Sequence, residues 1–135
     1  ELSSSPRMDL KEWIDADKHG IEVVGDQRPI MLGKLPVLHG HELKGAGSTV
    51  NPARGAFMRT LSTVMVGHNH RSSQHTEPNL WHTQVSTWSL GCLCDLNARF
   101  MPINRWNHGA ANVEVDKVGE FHVDNFRIGP VGEIW

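Results

Sequence analysis

Two cysteines are all the sequence has, Cys92 and Cys94, and a single residue separates them. Cys-x-Cys cannot staple distant segments. A disulfide framework is therefore excluded as the basis of the fold, and a reducing, cytoplasmic setting is expected. No apolar run approaches the ~20 residues of a membrane helix, so no membrane partner is expected. No excess of one charge exists either, with 13 Lys and Arg against 15 Asp and Glu. That balance gives no global basic field for nucleic acid or for a membrane surface. Repeats, low-complexity tracts and linkers are missing, and 135 residues suffice for one core but not two, so the chain reads as one domain over 1–135. Glu1-Leu2-Ser3-Ser4-Ser5 does not read as a signal peptide, and the absence of an initiator Met points to a processed chain or a fragment. Tyrosine is absent while tryptophan occurs five times; Trp81, Trp88 and Trp106 are read as core or core-edge residues.

Histidine is what the chain has in plenty, nine in all. Val64-Met65-Val66 is a short apolar run that ends in Gly67-His68-Asn69-His70-Arg71. The run reads as a buried strand, and Gly67 permits a sharp turn where it stops. His68 and His70, two apart, can face one site. Leu35 to Leu38 is a second apolar run, and it ends in His39-Gly40-His41-Glu42. Between the two runs Asn51-Pro52 opens a helix, an N-cap followed by proline at the first helical position. Strand, helix, strand is the β-α-β pattern, and it brings both strand ends to one edge of a parallel pair. His39 and His68/His70 are therefore expected to be neighbours, placed where open α/β sheets carry their sites. Converging imidazoles suit a transition metal.

The remaining segments are plainer. Ser5-Pro6 starts an amphipathic helix expected to run to about Lys18, with Gly20 as its stop. Asp17-Lys18-His19 ends that polar helix and is read as surface. Ile21 to Val24 is expected to form a hairpin with Ile30 to Leu32 across Gly25–Pro29. Lys44-Gly45-Ala46-Gly47-Ser48-Thr49 lacks the ending of a phosphate-binding loop. Arg71 to Thr76 reads as polar loop, Leu80 to Leu90 as strand, and Ala110–Val115 with Glu120–Ile128 as a hairpin turning at 116–119. The fold class is accordingly α/β, or α+β, with a β-α-β unit followed by an antiparallel meander.

Several side chains carry open alternatives. His41 is a metal ligand, a proton donor, a group orienting His39 or a plain loop histidine. Arg54, Arg71 and His75 are phosphate contacts or solvated surface groups. Cys92 and Cys94 join His82 or His108 around zinc or, as the favoured reading, are inert thiols, because structural zinc usually takes wider spacing.

His39-Gly40-His41 followed by Gly67-His68-Asn69-His70 resembles the last two metal motifs of the calcineurin-like metallophosphoesterases. Asn51-Pro52-Ala53-Arg54, His75-Thr76-Glu77 and Trp106-Asn107-His108-Gly109 resemble a virus-encoded and bacterial subgroup of DNA-repair type. The likeness runs from about Ile21 to the C-terminus. It implies a two-sheet sandwich with two divalent ions (Mn, Fe, Zn or Ni) at a sheet edge in a complete site, and one or none on this chain alone. His39 and His68 would ligate one ion and His70 the other. The family's catalytic histidine usually comes from an earlier motif, so His41 as the catalytic histidine and Arg54, Arg71 and His75 as substrate contacts rest on the residues themselves. The implied reaction is hydrolysis of a phosphate mono- or diester by a metal-activated water. Its substrates would be phosphate esters, nucleotides or nucleic acid among them. The earlier family motifs, Asp-x-His, Gly-Asp-x-x-Asp and Gly-Asn-His-Asp/Glu, are absent in proper form. The chain is thus expected to be the C-terminal portion of such a domain, paired with a complementing N-terminal half or assembled as a homo-oligomer through an open sheet edge. The alternative is a non-catalytic binding module with half a metal site. A His-Asn-His nuclease unit would use Asn69-His70 differently, and the strand ending at Gly67 argues against it.

Overall fold

A computed structural model describes residues 10–24, 28–46 and 49–135. The Ser5-Pro6 cap, most of the turn at 25–29 and Gly47-Ser48 of the glycine-rich loop lie outside them. The described residues are mixed α and β: an open five-stranded sheet, a small antiparallel sheet and one substantial helix. Among the described residues no helix is long and apolar enough to cross a membrane.

The helix expected through Lys18 ends sooner. α1 spans Leu10–Trp13, and turns follow to Gly20. Asp15 takes a left-handed φ of 49° there, a conformation that Asp tolerates but a helix does not. Ile21–Val24 forms no strand, which corrects the first expected hairpin. β1 (Ile30–Leu32) instead pairs antiparallel with β2 (Leu35–Leu38), placing Leu32 opposite Leu35. The two-residue link Gly33-Lys34 decides this, because Gly33 supplies the positive φ, 59°, that a tight hairpin needs.

α2 (Pro52–Thr60) then crosses to β3 (Val64–Val66), which lies parallel to β2, as the β-α-β pattern requires. Its start is fully tied. Asn51 Oδ1 accepts from the Arg54 N–H at 3.0 Å, and Ser73 Oγ accepts from the Ala53 N–H at 3.0 Å. The left-handed Leu61 closes its end, donating to Phe57 O at 2.7 Å. Ser73 to Thr76, read from sequence as loop, belong to an edge strand. β4 (Ser73–Pro78) pairs antiparallel with β5 (Gln84–Ser89), and β5 is parallel to β3. The polar sequence of β4 fits an edge with one open side, and its proline closes the strand. The sheet order is β1-β2-β3-β5-β4. β6 (Gly109–Val115) and β7 (Phe121–Arg127) form the expected hairpin.

Alternation along β3 divides the core. Met65 turns to one face with Leu35 and Trp88, and Val113, Phe121 and Val123 of the hairpin pack over them. Val64 and Val66 turn to the other face, against Ala56 of α2, Leu38 and Leu43. The central sheet is thus covered by α2 on one side and by β6–β7 on the other. Asn125 of β7 fastens the hairpin down, donating to Ser73 O at 3.0 Å and Ser89 O at 3.1 Å. At the opposite end the Lys34 N–H donates to Gly119 O, and Lys34 pairs with Glu120.

α2 approaches Ala46 and Thr49 closely at Gly55. A Cβ there would lie 2.2 Å from Ala46 O and 2.7 Å from Thr49 Oγ1. Alanine is worth about 1 kcal/mol over glycine in a helix interior, but overpacking costs about 1–3 kcal/mol. The obstructing atom is a backbone carbonyl, so the second effect wins. Gly55→Ala is expected to lower the urea midpoint, by about 1–2 kcal/mol in unfolding free energy.

Candidate metal centre and an adjoining arginine cleft

The β-α-β unit puts the ends of β2 and β3 side by side. His39 O accepts from the backbone N–H of both Gly67 (3.0 Å) and His68 (2.7 Å), which locks the two turns together. Gly40, with φ 112°, makes the approach possible: a Cβ there would meet His68 Cβ at 3.1 Å and Val66 Cβ at 3.2 Å. The rings converge accordingly. His39 and His68 centroids are 4.8 Å apart, His39 and His41 5.0 Å, and His41 and His68 6.2 Å. The Nδ1 atoms of His39 and His41 lie 2.9 Å apart, so one carries the shared proton and the other accepts it. Glu42 completes the cluster. Its Oε2 accepts from the Gly40 N–H at 2.7 Å and stands 3.6 Å from His41 Nδ1. Burial works against the charge of Glu42, but its own backbone N–H, that of Gly40 and the nearby His41 and His39 outweigh it. The carboxyl is held below its ordinary value.

One ligand atom each of His39, His41 and Glu42 falls within 4.8 Å of the others, a spacing one ion can bridge. The donor set of imidazole nitrogens and one carboxylate suits Mn, Fe, Zn or Ni. The residues therefore fit a divalent ion. His68 is depressed below the ordinary imidazole value, first by partial loss of solvent and then by the charges of His39, His41 and His70. Folded His68 thus takes up its proton at lower pH than the unfolded chain does. Its effect on stability is nil above the ordinary value of about 6.5. Below that the unfolded state binds more protons, and stability is lost until the folded group also titrates. Wild-type protein is expected to lose more stability between about pH 7.5 and pH 5.5 than His68→Ala does, as read from urea midpoints in the absence of metal.

His70 points elsewhere. It adopts a left-handed φ of 54°, and its Nδ1 lies 3.8 Å from Cys94 Sγ. The ring meets Trp106 edge-on at 4.5 Å. Cys92 belongs to the same group, with its ligand atom within 4.8 Å of the other two. Cys92 is half-buried and Cys94 exposed, so the expectation of two buried thiols fails at Cys94. His108 does not join them as a ligand; its Nε2 contacts Cys94 O at 2.9 Å.

Beside this edge runs a cleft of about 490 Å³ lined by Arg71, Arg105, Arg127, Asn51 and Asn107, with no acidic residue among the described residues of its wall. Arg71 donates from one guanidinium nitrogen to Thr49 O at 2.9 Å. Burial, and then the charge of Arg105 on the same wall, lower its proton affinity. Asn107 connects the cleft to the histidines, since its N–H donates to His70 O at 3.0 Å. A second hollow of about 210 Å³ continues past Arg127 to Trp135. Of Arg54, Arg71 and His75, only Arg71 lines the cleft. Arg54 is exposed on α2. His75 packs its ring 5.0 Å from Phe57 and pairs with Glu77 at 3.0 Å. Sequence reasoning missed Glu42, Arg105 and Arg127. Glu42 was legible in His39-Gly40-His41-Glu42; the arginines, 34 and 56 positions beyond Arg71 in number, carried no local signal.

No family model, no curated protein and no solved structure matches the chain.

Proposed function

We propose that the chain serves divalent-metal-dependent hydrolysis of a phosphate ester, as the histidine-bearing portion of a metallophosphoesterase-like sandwich. The observation that carries this reading is the meeting of His39, His41, Glu42 and His68 at the ends of two parallel strands, beside a cleft walled by arginine. His39 and His68 would hold one ion with Glu42 beside it, His41 standing outside the ligand set, and His70 would serve a second. A bound ion would activate water and offset charge on the phosphoryl group. His41, its Nδ1 engaged with His39, is placed to hold a proton at Nε2 for the leaving oxygen. Arg71, Arg105 and Arg127 bind phosphate oxygens through their forked donors. Three cations along one wall favour a substrate with more than one phosphate, a nucleotide or an oligonucleotide, over a monoester. α2 on one face of the sheet and β6–β7 on the other agree with a layered sandwich.

The test is metal content after dialysis without chelator, followed by hydrolysis of bis(p-nitrophenyl) phosphate with and without Mn²⁺. Retained metal, and turnover that Mn²⁺ restores after chelation, are expected. A chain that retains no metal and turns over nothing in excess Mn²⁺ sinks the catalytic reading. The second reading, a binding module acting by self-association, draws on the open β1 edge, where Ile30 and Met31 are exposed. Sedimentation that shows a concentration-dependent oligomer supports it; a monomer at every concentration removes it.

A further inference from the structure

We propose that Cys92, Cys94 and His70 form a sulfur-rich metal site for one thiophilic divalent ion of the zinc class. Resemblance assigns His70 to an ion but assigns no thiol, and the site stands whether or not the chain hydrolyses anything. Its geometry suits the ion. With Zn–S near 2.3 Å and Zn–N near 2.0–2.1 Å, a tetrahedral edge between sulfur and nitrogen spans about 3.6 Å. The observed distance from Cys94 Sγ to His70 Nδ1 is 3.8 Å, and Cys92 Sγ lies within 4.8 Å of both ligand atoms. Three protein ligands leave the fourth position to solvent.

The surroundings hold each ligand in place. Cys92 is pinned by a parallel bridge to His108: its N–H donates to Asn107 O at 3.0 Å, and its carbonyl accepts from Gly109 N at 3.2 Å. Neither glycine flanking this bridge can be enlarged. A Cβ on Gly91 would meet Gly109 N at 2.6 Å, and one on Gly109 would meet Ser72 Oγ at 2.5 Å. Cys94 is held through its carbonyl by His108 Nε2 at 2.9 Å. His70 is held through its carbonyl by the Asn107 N–H and through its ring by Trp106. Such partners orient ligands and tune affinity. The donor chemistry also separates this site from the His39 cluster. Thiolate selects zinc-like ions, whereas imidazole with carboxylate accepts harder ones such as Mn²⁺.

Cobalt(II) reads the two sites apart. Titration of the thiol-reduced protein is expected to give sulfur-to-cobalt charge-transfer absorption in the near ultraviolet and intense visible bands of a tetrahedral ion, saturating at one equivalent. Cys92→Ser and Cys94→Ser are each expected to weaken that binding by more than the ~10–100-fold typical of an outer-sphere change. His39→Ala is expected to leave the bands intact. Stoichiometric Zn²⁺ should displace the cobalt and slow iodoacetamide alkylation of both thiols. Cobalt that binds without charge-transfer absorption, and whose affinity survives both serine variants, overturns the proposal; loss of that cobalt in His39→Ala would leave the histidine cluster standing as a metal site. If a serine variant fails to fold, alkylation of the unaltered protein decides. Thiols that react at the apo rate with Zn²⁺ present overturn the site.

Discussion

Trp88→Ala is expected to lower the unfolding free energy by about 3–5 kcal/mol, as a fall in the urea midpoint followed by far-ultraviolet circular dichroism. A domain of this size has only about 5–15 kcal/mol in total, so the variant will be partly unfolded in mild denaturant. The cost follows from where the indole stands. Trp88 is only 6% exposed and packs with Leu35 and Met65 on the sheet face that receives β6–β7. Its ring meets Phe121 of β7 at 6.1 Å. A two-stranded sheet is marginal alone in water, so the hairpin depends on this contact. Removing it leaves a cavity at the junction of two layers. Among the described residues the indole N–H has no hydrogen-bond partner, so truncation orphans no acceptor there and the loss is one of packing. Trp81→Ala is the control. Trp81 is 80% exposed at the β4–β5 turn, and its replacement is expected to stay within about 0.5 kcal/mol of wild type.

These two tryptophans mark where sequence reasoning worked and where it failed. Both were read as core or core-edge, since composition assigns aromatics inside, yet only Trp88 sits on a strand between two packed layers. The β2-α2-β3 unit was legible because each part had its own local signal: short apolar runs, then the Asn51-Pro52 cap. From that topology the meeting of His39 and His68 followed, and their rings lie 4.8 Å apart. The failures lay where partners compete. Ile21–Val24 has strand composition, but Leu35–Leu38 offers β1 a closer partner through the tight Gly33 turn. Ser73 to Thr76 have loop composition, and they become strand because β5 supplies a full ladder beside them. His70 lies two residues beyond His68, which predicted a shared site. The left-handed φ at His70 turns it toward thiols more than twenty residues on, and no periodicity in the sequence encodes that contact.

His68→Ala is expected to reduce metal-dependent hydrolysis by more than about 100-fold while leaving the fold in place, since loss of a ligand exceeds the ~10–100-fold cost of disturbing a ligand's support. The two effects can be separated at this position. His68 is exposed, so no core packing goes with its ring. Alanine retains the Cβ against which Gly40 is fitted, and the backbone N–H that donates to His39 O is untouched. What is lost is one imidazole from a group of three. His39 and Glu42 can still approach an ion, so metal should bind weakly rather than not at all, and excess Mn²⁺ should recover part of the rate. Arg71→Ala must behave differently if the cleft binds substrate. A hydrogen bond to a charged group is worth about 1.5–3 kcal/mol, which corresponds to roughly 10–150-fold in KM, with metal content unchanged. Its excess Mn²⁺ response should match wild type, and added salt should narrow the gap between the two, because screening weakens a charge–charge contact but does little to a coordinated ion. If His68→Ala and Arg71→Ala shift kcat and KM in the same proportion, ion and cleft are not separate parts of one site. A His68→Ala protein that keeps its full metal content and full rate removes His68 from the metal centre altogether.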